Sequence, residues 1–241
     1  MIEIKDLTKD YGTTLAVNRL NLHVRPGEIY GFIGPNGAGK TTTIRMMGGI
    51  IEPTSGSINI AGMDMKKDPV LAKKIIGFVP DRPFLYEKLT GMEFLKFVSD
   101  LYSVDPRVMP ERARELLKQF ALVDWGDEII EAYSHGMKQR LIIAAALLHD
   151  PKILVIDEPM VGLDPAAVRM VKDILKDLSA QNVTIFVSTH TLSIAEDLCN
   201  RIGVIHKGSL LAQGTMEELN VAAQTGDAGL EEVFLTLIRE A

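Results

Sequence analysis

The sequence predicts an α/β chain in which a helical stretch interrupts an alternating core of strands and helices. Three observations predict it. The apolar run Glu28-Ile29-Tyr30-Gly31-Phe32-Ile33 leads into a glycine-rich turn, and Thr42-Thr43-Ile44-Arg45-Met46-Met47 follows with helical spacing. Two later apolar runs, Ile153 to Ile156 and Val183 to Val187, have the length and composition of strands buried on both faces. Between these parts, from 80 to 150, the periodicity is helical.

Taken in order, Ile2 to Leu7 and Leu15 to Val24 alternate as strands, with Tyr11-Gly12 in their connection. Arg25-Pro26-Gly27 turns into the strand ending at Ile33, and Gly48-Gly49 ends the helix that follows. Ser57 to Ala61 is a short strand after the turn Glu52 to Ser57, and Ile75 to Val79 is a strand stopped by Pro80. Thr90 with Glu93 forms a capping-box signature before Phe94, Leu95, Val98, Leu101 and Tyr102. Ala113, Leu116, Leu117 and Phe120 repeat the helical spacing, and a further helix runs from Gly136 to Leu148. Asp164-Pro165 caps a helix through Leu178. Leu192 to Cys199 is another helix, Ile202 to Ile205 and Ser209 to Gln213 form a hairpin around Lys207-Gly208, and two short helices, Thr215 to Gln224 and Leu230 to Arg239, follow. The expected division is a core of 1–79 with 151–241 and a helical part of 80–150.

A chain of 241 residues can bury a sizeable core as one domain, or as a domain with a subdomain. Its formal charge of −6 argues against nucleic acid as the partner. Cys199 is the single cysteine, which excludes an intrachain disulfide and fits a reducing compartment. Glu3, Lys5 and Asp6 interrupt any signal-peptide pattern, and the longest apolar run, Leu141 to Leu148, is too short to cross a bilayer.

The chemistry concentrates in Gly34-Pro35-Asn36-Gly37-Ala38-Gly39-Lys40-Thr41, which fits G-x-x-x-x-G-K-[ST]. A triphosphate presents clustered negative charge, so its cradle needs backbone N–H donors and little side-chain bulk. Lys40 supplies a flexible cation for the β- and γ-phosphates, the Thr41 hydroxyl suits Mg²⁺, and the helix that opens around Thr42 aims its positive end at the phosphates. The strand Ile153 to Ile156 delivers Asp157 and Glu158 at its end. Carboxylates there are costly unless a metal or donors compensate, so Asp157 is a metal ligand beside Thr41 and Glu158 a general base for attacking water. His190 follows the strand Val183 to Val187 through Ser188-Thr189, at a strand's C-terminal end where open α/β sheets bind ligands; taken alone, the alternative is an ordinary polar residue.

These residues resemble the ATP-binding subunits of ABC transporters, whose markers occur here in order across nearly the whole chain. Gly34 to Thr41 matches the Walker A loop, Ile153 to Glu158 the Walker B strand, Gly162-Leu163-Asp164 the D-loop, and Ser188-Thr189-His190 the switch histidine. Tyr11 stands where the family has an aromatic residue stacked on adenine. Tyr133-Ser134-His135-Gly136-Met137-Lys138-Gln139-Arg140 is similar to the signature L-S-G-G-Q-x-Q-R, keeping Ser134 and Gly136 but carrying Tyr133, His135 and Met137 as departures. Asp81 replaces the usual glutamine of the Q-loop; a carboxylate there can bind Mg²⁺ or water but cannot donate as an amide does.

The resemblance implies a P-loop NTPase core of ABC-ATPase type with an antiparallel β subdomain and a helical insertion. It implies ATP and Mg²⁺ as ligands, with Tyr11, Gly34 to Thr42, Ser134, Gly136 and Asp164 binding nucleotide, Thr41, Asp157 and Asp81 holding metal, and Lys40, Glu158 and His190 catalytic. It further implies a second ATPase subunit, identical or closely related, and separately encoded transmembrane permease subunits. The implied location is cytoplasmic, peripheral on the inner face of the membrane. The variant signature and the ending Leu230 to Leu235 look like bacterial exporter subunits. The alternatives are a soluble ABC-type ATPase without transport, as in cofactor assembly, and a module that senses ATP without hydrolysing it; Glu158 and His190 argue against the last.

Overall fold

The computed structural model describes residues 1–82 and 84–239. Strand β1 (Ile2–Asp10) pairs antiparallel with β2 (Leu15–Val24), burying Ile2, Ile4 and Leu7 against Val17, Leu20, Leu22 and Val24. The chain then runs through β3 (Ile29–Ile33), α1 (Lys40–Met47), β4 (Ser55–Ile60), β5 (Met63–Asp64), α2 (Pro69–Lys74) and β6 (Ile76–Val79). β4 returns beside β1, giving a four-stranded antiparallel sheet in the order β2-β1-β4-β5.

After β6 the chain turns helical: α3 (Gly91–Tyr102), α4 (Met109–Gln119), two single 3-10 turns at Val123–Trp125 and Ile130–Ala132, and α5 (His135–Leu147). Thr90 and Glu93 close a reciprocal capping box on α3, as the sequence predicts, and Ser134 Oγ accepts from Met137 N at the start of α5. The alternating core then resumes with β7 (Ile153–Asp157), α6 (Pro165–Ala180), β8 (Thr184–Thr189), α7 (Leu192–Leu198), β9 (Arg201–His206), β10 (Ser209–Gly214), α8 (Met216–Ala223) and α9 (Leu230–Arg239).

The second sheet has six strands in the order β10-β9-β3-β8-β7-β6, parallel except for β10. Its central strands are buried on both faces, and the two-residue period decides where each side chain goes. Leu154, Ile156, Ile185 and Val187 face the helices between β6 and β7, sharing a core with Phe94, Phe120, Leu141 and Ala144. Ile153, Val155 and Phe186 face the opposite way, against α1 and the four-stranded sheet. A third cluster joins β9 to α7, α8 and α9. Cys199 lies beside Gly31, with Sγ 2.7 Å from where a Cβ on that glycine would stand, and burial pushes its thiol up to about 12.

Several boundaries differ from the sequence reading. α1 opens at Lys40, two residues before Thr42, because Gly39 in the left-handed region ends the loop directly at the helix. β1 continues to Asp10 through register shifts beyond Ile4, which break the alternation that marks a strand. β5 and α2 are absent from the sequence reading; α2 buries only Ala72 and so has no apolar face to recognise.

A candidate nucleotide site

The loop between β3 and α1 is shaped by close approach. A Cβ at Gly39, whose φ is 110°, would stand 2.5 Å from the Ala16 carbonyl oxygen, and one at Gly34 would run into the Ile205 carbonyl. No other residue type fits both positions without moving β2 or β9. Inside the loop, Lys40 is only 7% exposed, and its Nζ donates to the carbonyl oxygens of Gly34 (2.8 Å) and Pro35 (3.4 Å). Burial lowers the affinity of that ammonium for its proton, while the nearby charges of Glu158 and Asp157 act the other way.

β7 delivers Asp157 next to α1. Thr41 Oγ1 donates to Asp157 Oδ2 at 2.9 Å, and Ser188 Oγ, on the neighbouring strand β8, donates to Oδ1. Asp157 is 2% exposed, and burial pushes its carboxyl above the usual range against the opposing effect of those two hydroxyls. Glu158 follows in the left-handed region, with φ 54°, which swings its carboxylate off the end of the strand. Its Oε2 accepts from Thr189 Oγ1 at 3.2 Å and its Oε1 from Nδ1–H of His190 at 2.7 Å. A cavity of about 520 Å³ opens over these groups, lined by Asn36 to Thr42 together with Asp81, Glu158 and His190. It combines loop N–H groups, a cation and a carboxylate–hydroxyl pair, the donor set a nucleoside triphosphate with a hard divalent cation requires.

The model of the ABC transporter family matches residues 17–161. This chain belongs to the ABC transporter family. The linearmycin resistance ATP-binding protein LnrL of Bacillus subtilis is 36% identical over 245 residues, covering 99% of this chain and 79% of that one. The solved structure of an ATP-binding subunit of an ABC transporter superimposes with a TM-score of 0.92 at 33% identity, covering 99% of both chains. A dimeric ATP-binding cassette in a post-hydrolysis state, bound to ADP and Pi, gives a TM-score of 0.82 at 28% identity, over 89% of this chain and 98% of that one. The chain is an ATP-binding, ATP-hydrolysing subunit of an ABC transporter, and the reading of a soluble ATPase without transport gives way to it.

In this ABC ATPase the other sequence-read residues are spread over several elements. Asp81 follows β6 and lines the cavity. Tyr11 stands in the turn after β1, 55% exposed, with the Lys9 ammonium 5.1 Å from its ring centroid. Ser134 and Gly136, at the start of α5, are not among the residues that line the cavity, and Ser134 is exposed. Asp164 caps α6 by accepting from Ala167 N at 2.8 Å. His135 is exposed, with its ring lying against Gly162.

Sequence reasoning missed Ser188 and Lys207, and with them the Thr14, Leu15 and Ala16 wall of the cavity. For Ser188 a signal existed: a hydroxyl one residue beyond a buried apolar run needs a partner. For Lys207 the signal was its position directly after a strand, where open α/β sheets bind ligands.

Proposed function

We propose that this chain powers export from bacterial cells as one of a pair of ATPase subunits that share two nucleotides across their interface. The supporting observation is an incomplete site. The phosphate loop, Glu158 and His190 line the cavity, with Asp157 behind Thr41, while Ser134 and Gly136 at the opening of α5 stand apart from it and Ser134 is exposed. A second subunit, packed head to tail, would bring its own Ser134 and Gly136 to the nucleotide held by this one. The dimeric relative bound to ADP and Pi supports such pairing. A resistance protein among the relatives supports export.

In this reading Tyr11 stacks on adenine, and the residues from Gly34 to Thr42 cradle the phosphates with Asp164 of the D-loop nearby. Thr41 and Asp157, with Asp81, would hold Mg²⁺, which would offset phosphate charge when bound; their oxygen donors suit a hard cation that keeps phosphate and water ligands. Water attacks the γ-phosphorus, its proton passes to a Glu158 carboxylate oxygen, and the bond to ADP breaks. His190 holds that carboxylate in place through Nδ1–H. Lys40 balances charge on the transferring group.

The helices between β6 and β7, as a subdomain over 80–150, would meet separately encoded membrane subunits. Phe84, 81% exposed, and Tyr86 stand edge to face there, with Tyr86 also against Phe97, while Leu85 turns inward. No helix among the described residues is long and apolar enough to cross a membrane. The chain would therefore sit on the inner membrane face through those partners.

The test is sedimentation velocity of Glu158→Gln with and without ATP. The expected result is ATP-dependent dimerisation that a further Ser134→Ala change weakens, with nucleotide binding by the monomer kept. Dimerisation indifferent to position 134 would overturn the shared site.

A further inference from the structure

The cavity has a second cation that neither the motifs nor the mechanism above uses. Lys207 lines it alongside Thr14, Leu15 and Ala16. The order of the parallel strands fixes its place. Phosphate loop, His190, Glu158 and Asp81 leave the ends of β3, β8, β7 and β6, and Lys207 leaves the end of β9, on the other flank of β3. Charge is thus graded along the mouth, with Lys207 at one side of the loop and the catalytic carboxylate at the other.

The hairpin that carries Lys207 is held rigidly against the loop. Gly208 N donates to the Ala38 carbonyl at 2.9 Å, and Gly208 O accepts from Asn18 N at 2.8 Å, so the hairpin tip bridges the phosphate loop and β2. Lys207 itself takes a left-handed backbone, φ 45°, as the first residue of the two-residue turn between β9 and β10. Among the described residues, the only other lysine lining the cavity, Lys40, already donates to two loop carbonyls. Two carboxylates, Asp81 and Glu158, line the same cavity, so a polyanion entering it gains most from a cation placed away from them.

We infer that Lys207 is a nucleotide-binding residue that engages the phosphate nearest the ribose, on the side away from the transferred γ-phosphate. The inference rests on the reading of Gly34 to Thr41 as the phosphate cradle. A contact to the part of the nucleotide that does not react is made equally in ground and transition states, so its loss raises KM and leaves kcat nearly alone. ADP and ATP are held alike by it, and adenosine is not.

The experiment measures affinity of the purified chain for ADP, a nonhydrolysable ATP analogue and adenosine, with steady-state ATPase, in Lys207→Gln, Lys207→Glu and Lys207→Arg. All three keep a Cβ, so backbone strain at 207 is unchanged. Lys207→Gln is expected to weaken ADP and the ATP analogue equally, by about 3- to 5-fold, the range of a solvated ion pair. Lys207→Glu weakens them further, Lys207→Arg restores them, and the differences shrink as salt is raised. Unchanged ADP affinity in both Gln and Glu variants overturns the inference. So does a fall in kcat with ADP affinity intact, or an equal loss for adenosine. Lys40→Ala is the control: if it too bound ADP like the parent, the phosphate-loop reading itself would fall, whereas loss of binding there with no effect at 207 removes only this inference.

Discussion

Nδ1 of His190 lies 2.7 Å from Oε1 of Glu158, at the ends of the adjacent parallel strands β8 and β7. The pair makes one unit of the base and the group that aims it. Glu158→Gln is expected to lower kcat by roughly 10²–10⁴ while nucleotide still binds. His190→Ala, added to it, should cost little more, because residues acting as a unit are not additive. Phosphate-release kinetics on the two single variants and the double variant check this.

Lys40 is enclosed by the loop it serves, so its removal strikes twice. The triphosphate loses a cation, and the Gly34 and Pro35 carbonyls lose their donor. Lys40→Ala should weaken ATP binding about 10- to 150-fold, the range for charged hydrogen bonds. Equilibrium titration with a fluorescent nucleotide reads it directly.

Asp157 costs the nucleotide-free fold stability. Its carboxyl holds a proton more tightly folded than unfolded, so stability falls as pH rises from the ordinary carboxylate range through the folded value. Above the folded value the whole penalty is present. Asp157→Asn keeps an acceptor for one of the two hydroxyls, offers its NH2 to the oxygen of the other and removes the charge, so it should raise Tm at pH 7, by about 2–4 °C per kcal/mol relieved. The gain should vanish below about pH 4. A Tm lower than the parent's at pH 7 would count against the burial argument, and ATPase activity should be lost regardless.

His149 behaves oppositely. Its ring stacks on Tyr102 with centroids 3.7 Å apart, Nε2 donates to the Ile76 carbonyl at 3.1 Å, and Nδ1 is buried without a partner among the described residues. Burial lowers its pKa, against the weaker opposing effects of that carbonyl and Asp150. A depressed value means stability that is intact above the ordinary histidine range and lost as pH falls through it. His149→Phe, which keeps the stack, should flatten the pH dependence of unfolding between pH 7 and 5 by up to about 1.4 kcal/mol per pH unit. Urea titrations of parent and variant at both pH values test it.

Much of this site was written in local patterns. Gly34 to Thr41 is contiguous, and Ile153 to Glu158 announces both a buried strand and the charges at its end. What stayed hidden depends on partners distant in sequence. Ser188 matters because β8 lies beside β7, and Lys207 because β9 lies beside β3. Neither adjacency can be read from its own neighbourhood. Tyr102 and His149 likewise meet only once α3 and the end of α5 have folded onto β6. Some residues that punctuate a helix were legible: Thr90 and Asp164 cap as local chemistry requires.

The edge position of β6 has a consequence for how force could travel. The chain departs from the C-terminal end of this outermost strand and comes back at the N-terminal end of β7 beside it, where Lys152 N and Ile153 N both donate to the Ile75 carbonyl. The intervening helices are therefore joined covalently to the sheet along that margin, like a page to its spine, and packed onto its face through Leu154, Ile156, Ile185 and Val187. Torque applied to the page has that margin to turn about. Asp81 sits where the stitching begins, so leverage from outside arrives first at a carboxylate already inside the nucleotide cavity.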